Sequence, residues 1–143
     1  MKEIYTEIEI NAPDDIIWNI ITDFDGYSRW NPFIKEISGI PEEESQIEVF
    51  IKPPNSNGMK FRPRIIKYEP KKELGWLGRL WILKLFDGEH SLIIKKIDDN
   101  KTLFIQKERF HGLLVPLLSN LLKNTKSGFE LMNNALKQEA EEK

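Results

Sequence analysis

His90, Gln106 and Glu108 are the residues of this 143-residue chain whose types and spacing can do chemistry. They sit in two alternating runs, residues 86–97 and 102–110, joined by the hairpin turn Asp98-Asp99-Asn100-Lys101, where Asn100 suits the left-handed region. With Asp99-Asn100-Lys101 as a three-residue loop, Asp98 faces Thr102, His90 faces Phe110, Leu92 faces Glu108 and Ile94 faces Gln106. Alternation then places His90, Leu92, Ile94, Gln106, Glu108 and Phe110 on one face of the pair. A slip of one residue would break the His90–Glu108 association. Large apolar groups with a few polar ones are what an orienting ligand pocket needs. His90 and Glu108 can hydrogen-bond a ligand carbonyl or hydroxyl, and either can serve as a general acid or base. The competing reading is that they satisfy each other or nearby backbone groups, or that the face is solvated.

Aromatic and branched residues offer walls for such a pocket. Trp30, Phe33, Trp76, Phe110 and Phe129 are the candidate lining, with Leu118 and Leu122 contributed by the last apolar stretch. Trp81, Phe86 and Phe104 are further material, and plain core packing is the alternative for all of them. Trp18 lies off the main face of its segment and is expected to pack under the N-terminal strand. Gly128 falls inside a helical pattern, where glycine costs roughly 1 kcal/mol against alanine. Close approach of the sheet or of a ligand would explain it, as would a bend.

Several chemistries are excluded by what the chain lacks. There are no cysteines, so disulfides, thiolate catalysis and cysteine zinc sites are out. The two histidines, His90 and His111, are not at metal-binding helical spacing, and no metal or cofactor is expected. No Gly-x-Ser-x-Gly elbow or glycine-rich phosphate loop is present, and Ser91 points to the opposite strand face from His90. A formal net charge of −2 speaks against nucleic acid as a partner and weakens a membrane role for Arg79, Lys84, Lys123 and Lys126. No apolar run approaches the ~20 residues of a membrane span, and the N-terminus alternates rather than forming a signal sequence. A cytoplasmic protein, monomeric or weakly dimeric, is expected. The run Leu113-Leu114-Val115-Pro116-Leu117-Leu118 reads as a buried helix start, with a mobile lid or a membrane-touching entrance as its competitors.

The elements that must position these residues follow from periodicity. Ile4, Thr6, Ile8 and Ile10 alternate with Glu3, Glu7 and Glu9, which predicts a half-buried first strand. Pro13, Asp14 and Asp15 open a helix whose apolar stripe is Ile16, Ile17, Ile20, Ile21 and Phe24. Asp25-Gly26 breaks it, and a short turn or second helix ends at Trp30-Asn31-Pro32-Phe33. Strands follow over residues 34–40, about 46–52, 59–69, 73–82, 86–97 and 102–110, with Pro63 implying an edge or bulge. A helix from about residue 114 to 141 carries Leu114, Leu118, Leu121, Leu122, Thr125, Phe129, Met132 and Leu136 on one face. It would be roughly 40 Å long. The fold class is therefore α+β: a curved antiparallel sheet of about seven strands around a long C-terminal helix, with two short helices after strand one. The whole of 1–143 is expected to be one domain.

That order, with Ile10-Asn11-Ala12-Pro13, Thr22-Asp23-Phe24-Asp25, Tyr27-Ser28-Arg29-Trp30-Asn31-Pro32-Phe33, Leu74-Gly75-Trp76-Leu77-Gly78, Phe86-Asp87-Gly88-Glu89-His90, Gln106-Lys107-Glu108-Arg109-Phe110-His111-Gly112 and Met132-Asn133-Asn134-Ala135-Leu136-Lys137, resembles the helix-grip superfamily. This group includes START domains, birch-pollen-allergen-like proteins and SRPBCC-type polyketide cyclase/dehydrase-like proteins. The resemblance implies an elongated cavity between sheet and long helix for an apolar or amphipathic ligand such as a lipid, isoprenoid or aromatic polyketide-like compound. It does not imply one chemistry. Ligand binding ranks first. A cyclase or dehydratase using His90 and Glu108 ranks second, and a protein-interaction or co-chaperone-like domain third.

Overall fold

Strict alternation from Lys2 makes β1 (Lys2–Ile10), whose inward side chains Ile4, Thr6 and Ile10 are buried. The computed structural model describes residues 2–80, 86–112 and 119–143. Trp81, Lys84 and the run from Leu113 to Leu118 lie outside the described residues, as do the side chains of Arg79 and Phe86. Pro13 precedes α1 (Asp14–Thr22), and Asp14 and Asp15 occupy its first turn, where a negative charge suits the helix dipole. A 3₁₀ turn (Phe24–Gly26) leads into α2 (Tyr27–Trp30). The buried Tyr27 hydroxyl donates to the Ile21 carbonyl at 2.5 Å and holds the two helices together. Trp18 is buried on α1. Its ring meets Tyr68 edge-on at 5.2 Å, so this side of α1 is buried against a later strand.

The strands that follow are β2 (Ile34–Ser38), β3 (Glu48–Ile51), β4 (Met59–Phe61), β5 (Arg64–Glu69), β6 (Glu73–Leu80), β7 (Phe86–Asp98) and β8 (Lys101–Gly112). They pair antiparallel in the order β1-β8-β7-β6-β5 and β2-β3-β4. The stretch expected as one strand over 59–69 is divided at Pro63, which has no N–H to give a ladder. Its carbonyl still accepts from Ile47 N at 2.9 Å. Glu44 N to Ile65 O at 2.8 Å and Ile65 N to Ser45 O at 2.9 Å continue the pairing past the break. β4 and β5 are thus two halves of one bent strand, and the curved antiparallel surface has about the number of strands expected.

The β7–β8 hairpin differs from its expected register by two residues. The turn is the two residues Asp99 and Asn100, and Asp98 pairs with Lys101. Asp98 Oδ1 accepts from Asn100 N at 2.8 Å, which tightens the turn without placing Asn100 in the left-handed region. A shift between Lys96 and Asp98 leaves Ile97 unpaired and exposed. His90 therefore faces Glu108, Leu92 faces Gln106 and Ile94 faces Phe104. Because side chains repeat every second residue, a shift of two leaves every one of them on its expected face.

The long helix is α3 (Ser119–Glu141). The portion expected before Ser119 lies outside the described residues. Thr125, Phe129, Met132 and Leu136 form the buried stripe, joined by Gly128, Asn133 and Ala140. α3 packs along β1. Lys137 Nζ donates to Glu9 O at 2.9 Å, and Asn11 N donates to Glu141 Oε2 at 2.8 Å. Arg29 pairs with Glu139 at 2.9 Å and ties α2 to the same helix. These contacts set the rotation of α3 over the sheet, and so which of its side chains face His90.

Candidate functional site

Register places one cross-strand row over five strands: Ile65, Trp76, His90, Glu108 and Ile4, on β5, β6, β7, β8 and β1. The next row on the same face is Leu74, Leu92, Gln106 and Thr6. All of these are buried, His90 to 3% exposure and Glu108 to 9%. From above, Phe129 of α3 lies over the first row and stacks on the His90 ring at 4.8 Å and 29°. Trp76 tilts against the same ring at 4.9 Å and 49°. Phe33 meets Phe129 edge-on at 5.4 Å. Its backbone is held by Asn31, whose Oδ1 accepts from Phe33 N and Ile34 N, each at 2.9 Å.

Hydrogen bonds run through the second row to the helix. His90 Nε2 is 2.9 Å from Gln106 Oε1. Gln106 Nε2 donates to Asn133 Oδ1 at 2.8 Å and, more weakly, to the Phe129 carbonyl at 3.4 Å. Asn133 Nδ2 donates to Thr6 Oγ1 at 2.9 Å, and Thr6 Oγ1 donates to the Gln106 carbonyl at 2.8 Å. Thus buried polar atoms from β1, β7, β8 and α3 satisfy one another.

Two polar groups of the first row stand outside this relay. Trp76 Nε1 is buried with no hydrogen-bond partner among the described residues. Glu108 Oε1 lies 3.8 Å from His90 Nδ1, too far for a hydrogen bond. That separation would suit an ion pair, but burial opposes the charge on both groups. It lowers the His90 pKa to about 4, against a smaller upward pull from Gln106. It raises the Glu108 pKa to about 8. At neutral pH the imidazole is therefore neutral and the carboxyl holds its proton. The site can offer hydrogen bonds and a proton, and it holds no fixed charge to attract an ion. Among the described residues no group of three or more His, Asp or Glu side chains could hold a metal ion.

Of the residues expected to act together, Phe33, Trp76, His90, Leu92, Gln106, Glu108 and Phe129 meet here. Phe110 is buried on the same face, two residues beyond Glu108, and Leu122 packs against the core, partly buried. Trp30 does not join them. It tilts against Tyr27 at 5.4 Å and lines an outer cleft of about 280 Å³ with Ile16, Ile20, Arg29 and Lys143. Leu118 lies outside the described residues. His111 is exposed, and Gly128 faces the Phe33 ring.

Thr6 and Asn133 were not among the expected site residues. Each interrupts an apolar pattern: Thr6 shares the buried parity of β1, and Asn133 follows Phe129 by one helical turn on the apolar stripe of α3. A polar residue on a buried stripe signals a partner, though not which one.

A profile of the family described as polyketide cyclase / dehydrase and lipid transport matches residues 1–141. No curated protein matches the chain. Solved structures do. A START superfamily protein from Mycobacterium smegmatis superposes with a TM-score of 0.77 at 18% identity, over 98% of this chain and 97% of that one. The Zhui aromatase/cyclase from Streptomyces sp. R1128 gives 0.75 at 14%, over 98% and 93%. A norcoclaurine synthase point mutant from Thalictrum flavum gives 0.78 at 16%, over 99% and 94%. At these identities the likeness shows a shared helix-grip fold. No helix among the described residues is long and apolar enough to cross a membrane.

Proposed function

The chain belongs to the polyketide cyclase/dehydrase and lipid transport family, and on that footing we propose that it is a single binding domain for a small, largely apolar molecule carrying a hydrogen-bond-accepting oxygen. The ligand lies between α3 and the face formed by β6, β7 and β8. The observation that carries this reading is Trp76 Nε1, a buried donor with no acceptor among the described residues, in the same row as a protonated carboxyl. A buried polar group without a partner costs about 1–3 kcal/mol. A ligand carbonyl or ether oxygen would relieve that cost, and the Glu108 O–H is a second donor for it. Phe33, Leu92, Phe110, Leu122 and Phe129 supply the apolar surroundings. A lipid, an isoprenoid or an aromatic polyketide-like compound has this mixture of character.

Native mass spectrometry of gently purified protein should show a co-purified species, and an environment-sensitive dye should bind saturably. Trp76→Phe keeps an aromatic ring and deletes the donor. It should weaken binding about tenfold, as the loss of one hydrogen bond of about 1.4 kcal/mol requires. A chain with no bound species and no saturable dye binding would remove this reading.

One observation favours a second reading, a cyclase or dehydratase of the same ligand class. A neutral carboxyl with a pKa of about 8 can donate a proton near neutral pH, and His90 lies beside it. In that case turnover falls in both Glu108→Gln and His90→Ala. A rate unchanged in both variants eliminates them as acid and base.

A further inference from the structure

The hydrogen bonds below His90 have only one consistent direction. Thr6 Oγ1 is 2.8 Å from the Gln106 carbonyl, which can only accept, so the single hydroxyl proton is committed there. The Thr6 oxygen must then accept from Asn133 at 2.9 Å, which places Asn133 Nδ2 toward β1 and Oδ1 toward Gln106. Facing an acceptor at 2.8 Å, the near atom of Gln106 must be its amide nitrogen, and the Phe129 carbonyl at 3.4 Å takes the second proton of that group. Gln106 Oε1 is left for His90 and accepts from Nε2 at 2.9 Å. A neutral imidazole has one N–H, so Nδ1 carries a lone pair.

We propose that Thr6, Asn133 and Gln106 form a positioning relay that locks His90 in its Nε2–H tautomer and keeps Nδ1 as a hydrogen-bond acceptor beside the Glu108 carboxyl. The use made of that acceptor rests on the ligand-binding reading above. The row then presents a donor at Trp76, an O–H at Glu108 and an acceptor at His90 Nδ1. A neutral molecule with one accepting oxygen and one hydroxyl complements this pattern. A carboxylate would put negative charge against the Nδ1 lone pair, with no cation among the row to offset it.

The lock starts from a backbone carbonyl, which cannot reverse its polarity. Each member transmits direction to the next, and beyond Asn133 only the longer 3.4 Å bond to the Phe129 carbonyl still orients Gln106, so removing a member loosens those beyond it. Thr6→Val keeps the shape of the side chain on an edge strand but lets Asn133 turn over. Asn133→Leu removes both the acceptor that holds Gln106 Nε2 and the donor to Thr6.

Two-bond ¹H–¹⁵N correlation spectra of the imidazoles, recorded on ligand-free protein near pH 7, test the proposal. Only His90 and His111 contribute signals, and His111→Gln assigns them. His90 should show a protonated Nε2 and a pyridine-like Nδ1. In Thr6→Val and Asn133→Leu the two nitrogens should move toward the averaged values of mixed tautomers, the more so in Asn133→Leu. A purely structural role would lower stability and leave the nitrogen pattern unchanged. If Asn133→Leu does not fold, the isosteric Thr6→Val decides the matter. An Nδ1–H pattern in the unaltered protein overturns the relay, as does an unshifted pattern in Thr6→Val. A wrong tautomer in a protein that binds the dye overturns the relay alone. The expected tautomer in a protein that binds no dye and carries no co-purified species overturns the ligand reading alone.

Discussion

Glu108→Gln is expected to raise the free energy of unfolding by about 3 kcal/mol at pH 7 and about 5 kcal/mol at pH 9. The cause is a carboxyl that folding moves from its ordinary value of 4.5 to about 8 by burying it. Between those values the unfolded chain releases the proton and the folded chain keeps it. The folded state is then penalised by the ionisation it forgoes, and stability falls as pH rises through this window. Below 4.5 both states hold the proton and no penalty exists; above about 8 both have lost it and the penalty is complete. His90 has the opposite sign. Its pKa drops from 6.5 to about 4 on folding, so it contributes stability above 6.5 that disappears as pH falls toward 4. The two slopes cancel between about 4.5 and 6.5, and a net loss of roughly 2 kcal/mol remains from 6.5 to 8. Glutamine has a similar shape and does not ionise, so it abolishes the alkaline limb. Urea unfolding at pH 5, 6.5, 8 and 9 on both proteins isolates the effect. Coincident midpoints of the two proteins across that range would show that Glu108 ionises as an ordinary surface carboxyl. The binding role makes the opposite demand: a stabilised Glu108→Gln protein loses the acid O–H, which is the stability–activity trade-off seen where a site keeps a costly group.

The architecture was legible because its signals are local. The period-two pattern of β1, the proline and acidic pair before α1, and the 3.6-residue stripe of α3 each depend on neighbouring residues alone. Pro63 was readable as an interruption for the same reason. Face membership survived an incorrect register because alternation belongs to the strand, whereas pairing belongs to the turn. The Asp98 side chain closing on Asn100 N and the extra residue at Ile97 together moved the partner by two. Had they moved it by one, His90 and Glu108 would lie on opposite faces. Trp18 shows where local reading stops. Its position on α1 marks it as off the main stripe, but Tyr68 becomes its partner only when β5 returns to the same place. Asn133 is harder still. Its stripe was visible, yet its contacts with Gln106 and Thr6 depend on the rotation of α3, set in part by Lys137 on Glu9 and Arg29 on Glu139.

Gly128→Ala is expected to destabilise the protein by about 2 kcal/mol, against the helix propensity that favours alanine by about 1 kcal/mol. A Cβ at this position would overlap Phe33 Cδ1 and lie 2.7 Å from Cε1, closer than any ordinary contact. The ring has little freedom to retreat. It is buried, its backbone is held through Asn31, and its face is set edge-on against Phe129. Overpacking of this kind costs about 1–3 kcal/mol, and the severity of the overlap places it at the upper end. Close approach of the β2 entry to the helix therefore explains the glycine, and neither a bend nor direct ligand contact is needed. The effect should be coupled. In a Phe33→Val background the two nearest ring carbons are gone, and Gly128→Ala should turn from a loss into a gain of up to about 1 kcal/mol. Chemical denaturation of the four proteins in this cycle gives the coupling directly. Equal effects of Gly128→Ala in both backgrounds would show that the ring is not the obstacle. The displacement also reaches the site, because Phe129 meets Phe33 at 74° and stacks on the His90 ring. Gly128→Ala should therefore weaken dye binding as well as stability, and Phe33→Val should restore part of the binding that the methyl group removes.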